Sequence, residues 1–355
     1  MTILVAIVGL VFLIVIHELG HMLTAKALGV RVPEFGIGFG PAIIKKKLGN
    51  TVYSFRIILL GGFARMAGME GMASVGRERG ELAPDTFPAK SAWRRALIIF
   101  AGPFANLVAA VAILAGVLMI SGAVTDVRPE VSEIEPGSMA DRVGIQAGDR
   151  LVGIDGERIE AWEGFTREVS SREPGEEISV TVERGGSERT FSGELGADPE
   201  NEERPLVGVR PEVERTRYGP VEATWRAVEQ VAFVTVRLGA FVGQLVTGEQ
   251  SFYDNVTGPV GIATVGSTSV EQGFFPQLLA LISLNLALFN LLPVLPLDGG
   301  HLLLIAAEKV LRRPVSPETI GKVTAVGLVL VLALFLFATY ADLSKIITGQ
   351  PFIPE

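Results

Sequence analysis

Residues 96–122, ALIIFAGPFANLVAAVAILAGVLMISG, contain no charged residue. A helix of ~20 apolar residues crosses the hydrocarbon core of a bilayer, so a run of this length and composition reads as a span. Residues 2–25 are apolar apart from one polar cluster, residues 274–296 are uncharged but hold Asn285, Asn290 and three prolines, and residues 321–341 are rich in Leu, Val and Ala. In lipid every backbone N–H and C=O has to be bonded within the protein, which favours helices. The protein is therefore predicted to be a multi-pass α-helical membrane protein with four transmembrane helices. Residues 2–25 lack the basic start and small-residue cleavage site of a signal peptide.

Charged residues still make up 20% of the sequence although 48% is hydrophobic, so the spans must be accompanied by a polar domain. The net charge of -8 argues against a nucleic-acid partner. With no cysteine, disulfides and thiolate metal sites are excluded.

Lys and Arg next to spans mark the cytoplasmic side. The first connection carries Lys26, Arg31, Lys45, Lys46, Lys47, Lys90, Arg94 and Arg95, and the last carries Lys309, Arg312, Arg313 and Lys322. Residues 127–270 are acidic and contain Arg but no Lys. Connections 31–90 and 305–320 are thus expected inside, and residues 127–270 and both termini outside.

Within that outer segment, Pro136-Gly137 predicts a turn, SMADRVG a short helix closed by Gly144, and RLVGID a strand ending at Gly156. TREVSSREPG reads as a helix, and the following residues as a hairpin with Gly185-Gly186 at its tip. The run PGSMA through GIDG resembles a bacterial PDZ domain, which binds the ends of polypeptides by adding a strand to a sheet edge. PLVGVRPE, residues 205–212, is the candidate carboxylate-binding loop. Two roles stay open for this domain: contacting substrate or the C-terminal end of a polypeptide, or standing over the membrane site as a steric filter. Residues 219–250 read as an amphipathic helix on the outer membrane face, since Arg226, Glu229 and Arg237 argue against a span.

The polar cluster in the first span is HELGH, with His17 and His21 flanking Glu18 in a sequence of only three histidines. Positions i and i+4 share a helix face, so two imidazoles can grip one metal ion while the glutamate deprotonates a water. Ionisable groups in a span are costly and by default functional, and a divalent cation would pair with them. Zinc hydrolases use three protein ligands and leave one position for water. The third must come from NLALFNLLPVLPLDGGHLLL, which offers Asp298 and His301. A buried aspartate costs about 3 kcal/mol unless paired, which favours Asp298 and leaves the role of His301 open. Residues 35–66 read as two strands joined by Gly49-Asn50.

Taken together, HExxH in the first span, NxxPxxPLDGGH in a later one and a PDZ domain between them resemble the site-2 protease family. The likeness is to RseP-type enzymes of bacterial regulated intramembrane proteolysis. Further matches are GGFARM at 61–66, AGPFAN at 101–106 and TGPVGIA at 257–263. The resemblance implies an intramembrane zinc metalloprotease of the bacterial inner membrane. Zn²⁺ is then held by His17, His21 and Asp298, with Glu18 as catalytic base. Asn290, Gly61, Gly62 and Pro293 fall where substrate binds, and residues 35–66 form a membrane-reentrant sheet whose edge accepts substrate as an extra strand. The implied partners are the lipid bilayer and transmembrane substrates, either single-pass anti-sigma factors or signal-peptide remnants. They are usually cut after a first extracytoplasmic cleavage. A catalytically dead PDZ scaffold and a metal transporter are the competing readings. Intact HExxH and LDG weigh against the first, and the scarcity of further acidic or His residues along the spans against the second.

The expected organisation is a membrane core at 1–122 with the reentrant region at 35–66, a PDZ domain at 127–212, a post-PDZ helical region at 213–273, and a second membrane core at 274–355.

Overall fold

A computed structural model describes residues 2–69, 83–198, 201–348 and Phe352. Residues 70–82, part of the connection expected to face the cytoplasm, lie outside the described residues. The protein forms two compact units, Leu118–Gly219 and the remainder.

The first unit begins with α1 (Thr2–Ala27). Its buried residues Ala6, Gly9, Leu13, His21 and Ala25 recur at helical spacing, while Ile3, Leu4, Val8 and Phe12 are exposed. A helix apolar all round suits lipid on one face and protein on the other. Next come β1 (Glu34–Leu48) and β2 (Thr51–Arg65), turning at Gly49-Asn50 as the sequence predicts. Lys45 lies opposite Ser54 and Lys47 opposite Val52. Residues 34–37 lie opposite both 52–55 and 62–65, so the pairing doubles back and the start of β1 is flanked on both sides. Phe39, Ile43, Ile44, Ile57 and Ile58 are exposed. α2 (Ala92–Ile120) follows, with Pro103 inside it.

The second unit starts with β3 (Ala123–Ile134), α3 (Met139–Val143), β4 (Arg150–Ile154), β5 (Glu157–Arg158) and α4 (Trp162–Ser170). It continues through β6 (Glu177–Arg184), β7 (Ser187–Glu194), β8 (Gly196–Asp198), β9 (Asn201–Leu206) and β10 (Val209–Thr216). The main sheet runs β10-β3-β4-β6-β7, with β5 paired to β4. Its inner face follows strand alternation: Ile178, Val180 and Val182 of β6 pack with Leu151, Phe165 and Val131. Ser138 caps α3 by accepting from the Asp141 N–H at 3.3 Å, and Gly144 closes it at φ 88°. Buried Asp149 accepts from Arg184 at 2.6 and 2.7 Å and from the Gln146 N–H at 2.8 Å. Burial raises the Asp149 carboxyl, but the bonds from Arg184 and Gln146 outweigh it and hold the pKa below the usual aspartate range. Ala123 at the start of β3 lies opposite Thr216 at the end of β10. The entry and exit of the unit are therefore neighbours, as an insertion requires.

Returning to the first unit, the polypeptide forms α5 (Pro220–Thr247), α6 (Phe252–Asn255), α7 (Pro259–Glu271), α8 (Phe275–Asn290), α9 (Asp298–Leu311) and α10 (Pro317–Thr348). α5 buries Ala223, Ala227 and Val231 and exposes Val221, Trp225, Val228 and Val236. The N–H groups of Gly258 and Gly261 at the start of α7 each donate to buried Asp342 of α10 at 2.8 Å. This bond pair is the structural use of the TGPVG run.

Among the described residues, α1, α2 and α10 are long and apolar enough to cross a membrane. The expected fourth span over 274–296 takes a different form. Its helix, α8, has 16 residues and stops at Asn290, ~24 Å of rise against ~30 Å of hydrocarbon. Pro293 and Pro296 cannot continue a helix, so the backbone turns over 291–297 and restarts as α9. Met22, Ala25, Phe35, Met66, Ile98 and Ile305 form one core, tying α1, the hairpin, α2 and α9 together. Beside it Arg95 of α2 and Glu308 of α9 make a buried ion pair at 2.9 Å.

Candidate metal centre

His17 and His21 lie one turn apart on α1, their ring centroids 4.8 Å apart and their planes at 86°. Their Nε2 atoms are 3.2 Å apart. Asp298, the first residue of α9, brings Oδ2 to 3.1 Å from His17 Nε2 and 3.2 Å from His21 Nε2. The three atoms form a nearly equilateral triangle. Tetrahedral zinc with ligands at ~2.0–2.1 Å would hold them ~3.3 Å apart. Despite these distances, the buried Oδ2 has no hydrogen-bond partner. Two imidazole nitrogens and a carboxylate oxygen facing one another with their lone pairs need a cation, so the donor set fits zinc.

The second helix shapes this triangle. His21 Nδ1 lies 2.9 Å from the Ile98 carbonyl. A carbonyl only accepts, so the proton sits on Nδ1 and Nε2 keeps its lone pair for the centre. A Cβ at Gly20 would overlap the Ala101 carbonyl oxygen, and a Cβ at Gly102 would overlap His21 Nε2. Helices α1 and α2 therefore touch backbone to backbone, and the AGP run is where α2 makes room for an imidazole. The DGG glycines act similarly: a Cβ at Gly299 would overlap the Leu291 carbonyl, so α9 can start only because its first turn is bare.

Glu18 sits beside the triangle. Its Cγ is 3.0 Å from where a Cβ of Gly62 would be. Gly62 thus lets β2 run against the glutamate, while neighbouring Gly61, at φ 132°, packs on the Phe39 ring. His301 lies three residues past Asp298 on α9, outside the triangle. Asn290 ends α8 and donates Nδ2 to the Leu286 carbonyl at 2.9 Å, a bond within its own helix. Pro293 lies in the turn before α9. The structure so brings together His17, Glu18, His21, Asp298 and Gly62. Sequence reasoning misses the Ile98 carbonyl and Gly102. Asn106, in the AGPFAN run that matches the family pattern, enters it only as a weaker substrate-contact candidate than Asn290.

The sequence model of peptidase family M50 matches residues 5–334. The protein belongs to peptidase family M50. Over 96% of its length this M50 peptidase is 34% identical to the putative zinc metalloprotease Atu1380 of Agrobacterium fabrum, covering 95% of that protein. Over 94% it is 30% identical to the zinc metalloprotease RasP of Geobacillus kaustophilus, covering 95% of it. Among solved structures, the PDZ domain of an SdrC-like protein of Listeria monocytogenes aligns with 25% of the M50 peptidase and 90% of its own length, at 21% identity and a TM-score of 0.21. The M50 peptidase is thus a member of the site-2 protease group of zinc metallopeptidases.

Proposed function

We propose that this M50 peptidase cuts transmembrane segments of membrane proteins inside the bilayer, at zinc held by His17, His21 and Asp298. The observation that carries the reading is the triangle of ligand atoms with Glu18 beside it, on helices whose other faces expose leucine, isoleucine and phenylalanine. His21 lies six residues, ~9 Å, from the C-terminal end of α1, within hydrocarbon depth and near the end that carries Lys26.

Zinc bound there would lower the pKa of a water to about 7 and polarise the scissile carbonyl. Glu18 takes a proton from the attacking water, a new C–O bond forms as the C–N bond breaks, and Glu18 returns the proton to the departing amine. A substrate helix has to unwind to expose its peptide bond, and its freed backbone groups then need partners. The β2 segment around Gly62, running against Glu18, supports a role for that strand in receiving the unwound segment. The apolar hairpin residues Ile43, Ile44, Ile57 and Ile58 support its insertion into lipid, and exposed Val221, Trp225 and Val236 support α5 lying on the membrane surface. Substrates are single-pass anti-sigma factors or signal-peptide remnants in a bacterial inner membrane.

Glu18→Gln is the direct test. The variant is expected to keep its zinc and to lose cleavage by ~10²–10⁴-fold, the span of a general base. Proteomics of membranes from cells carrying it should show accumulated transmembrane fragments. Unchanged cleavage, with no accumulation, overturns the proposal. Orientation is tested separately, and the absence of native cysteine makes labelling clean. Ser187→Cys is expected to react with an impermeant maleimide in intact cells and Ser316→Cys is not. The reverse pattern inverts the topology.

A further inference from the structure

Asn106 lies on α2, fully buried in an uncharged stretch of helix, with its side-chain Nδ2 3.4 Å from His17 Nδ1. Its side-chain oxygen is also buried and has no hydrogen-bond partner. The backbone at this position is anchored, because the Ser283 hydroxyl of α8 donates to the Asn106 carbonyl at 2.8 Å and Ser283 is itself fully buried. Anchored in this way, the asparagine amide faces the His17 ring.

The two orientations of that amide have opposite consequences. If Nδ2 donates to His17 Nδ1, the ring proton is forced onto Nε2. It would then point at His21 Nε2 and Asp298 Oδ2, 3.2 and 3.1 Å away. A proton in the middle of the triangle excludes a metal ion. If the amide is turned by 180°, its oxygen takes the place of its nitrogen and accepts from His17 Nδ1–H, and the Nε2 lone pair is free. Amide oxygen and nitrogen are nearly isosteric, so the exchange needs no movement of the helix.

We infer that Asn106, through its side-chain oxygen, fixes the tautomer of His17 that ligates the metal. It is a positioning residue: the same role on His21 is filled by the Ile98 carbonyl, eight residues earlier on the same helix. α2 thus sets both histidines, one with a backbone oxygen and one with a side-chain oxygen. Groups that hold the far nitrogen of a metal-bound histidine typically alter metal affinity by ~10–100-fold. The inference rests on the metal-site reading above.

The test compares purified full-length wild type, Asn106→Leu and Asn106→Asp by zinc competition against a chelator series. Asp is the informative replacement, since a carboxylate can accept from Nδ1–H and cannot donate. Asn106→Leu is expected to bind zinc ~10–100-fold more weakly, and Asn106→Asp to stay within a few-fold of wild type. With only three histidines in the protein, ¹⁵N-histidine spectra resolve the rings individually. The His17 Nδ1 proton is expected to persist in wild type and Asn106→Asp and to exchange rapidly with water in Asn106→Leu. Wild-type affinity and slow exchange in Asn106→Leu overturn the inference, as does Asn106→Asp losing as much zinc as Asn106→Leu. Should Asn106→Leu fail to fold, the Asn106→Asp comparison with wild type decides alone, because an amide acting as donor predicts loss there. His17→Ala separates the two levels. If it binds zinc as well as wild type, the metal-site reading itself has failed. If it loses zinc while the Asn106 variants do not, only the role of Asn106 has.

Discussion

Asp298→Ala is expected to come off purification without zinc, while His301→Ala keeps it. Asp298 Oδ2 is one of three ligand atoms in the triangle and the one negative charge among them. Its removal leaves two neutral imidazoles, one ligand short of the three that zinc hydrolases use. The affinity loss should exceed the ~10–100-fold typical of outer-shell replacements, and proteolysis should fall with it. His301 is on the same helix but outside the triangle, so its loss should alter zinc content little. Metal analysis after dialysis against a weak chelator distinguishes the two. Full zinc in Asp298→Ala with loss in His301→Ala reverses the ligand assignment.

Gly102→Ala is the second substitution with a large expected effect, although it adds only a methyl group in an apolar helix. That methyl would overlap His21 Nε2 and approach Cε1 to 2.5 Å and Cδ2 to 2.9 Å. The ring can avoid it only by leaving the Ile98 carbonyl, or α2 must back away from α1, where Gly20 already meets the Ala101 carbonyl. Either response breaks the ligand triangle, so zinc and cleavage should both be lost. Gly116→Ala on the same helix is the control. A Cβ there meets nothing within 4 Å, and replacing glycine by alanine in a helix favours it by roughly 0.5–1 kcal/mol. Gly116→Ala should keep zinc and activity. A Gly102→Ala protein with normal zinc content would mean that α1 and α2 can separate without cost to the ligand set.

The elements legible from sequence are those whose signal is local. HELGH places two imidazoles on one face because an α-helix repeats every 3.6 residues, and the structure has them one turn apart. Gly49-Asn50 and Gly185-Gly186 mark the tips of hairpins, and Ser138 and Gly144 bracket α3, because turns and caps depend on a few neighbouring residues. The end of α8 escapes a hydropathy reading for a complementary reason. Uncharged composition continues through Pro296, but helix geometry does not survive Pro293 and Pro296, so the helix is shorter than the apolar run that contains it.

By itself, the sequence determined that this protein has long membrane-grade helices, an inserted β-rich unit, and a pair of histidines with a glutamate on one helical face. Local periodicity, turn chemistry and apolar length are written in consecutive residues. The sequence favoured Asp298 over His301 as the third ligand; only the tertiary structure placed its Oδ2 against both histidines, set Ile98 and Asn106 beside the two rings, and showed that Gly102 admits the His21 ring. The residues concerned lie 77 positions apart for His21 and Ile98 and 89 for His17 and Asn106. No short-range pattern encodes such pairings, since they arise where α2, α8 and α9 pack against α1 and leave one ångström-scale space for a ligand set.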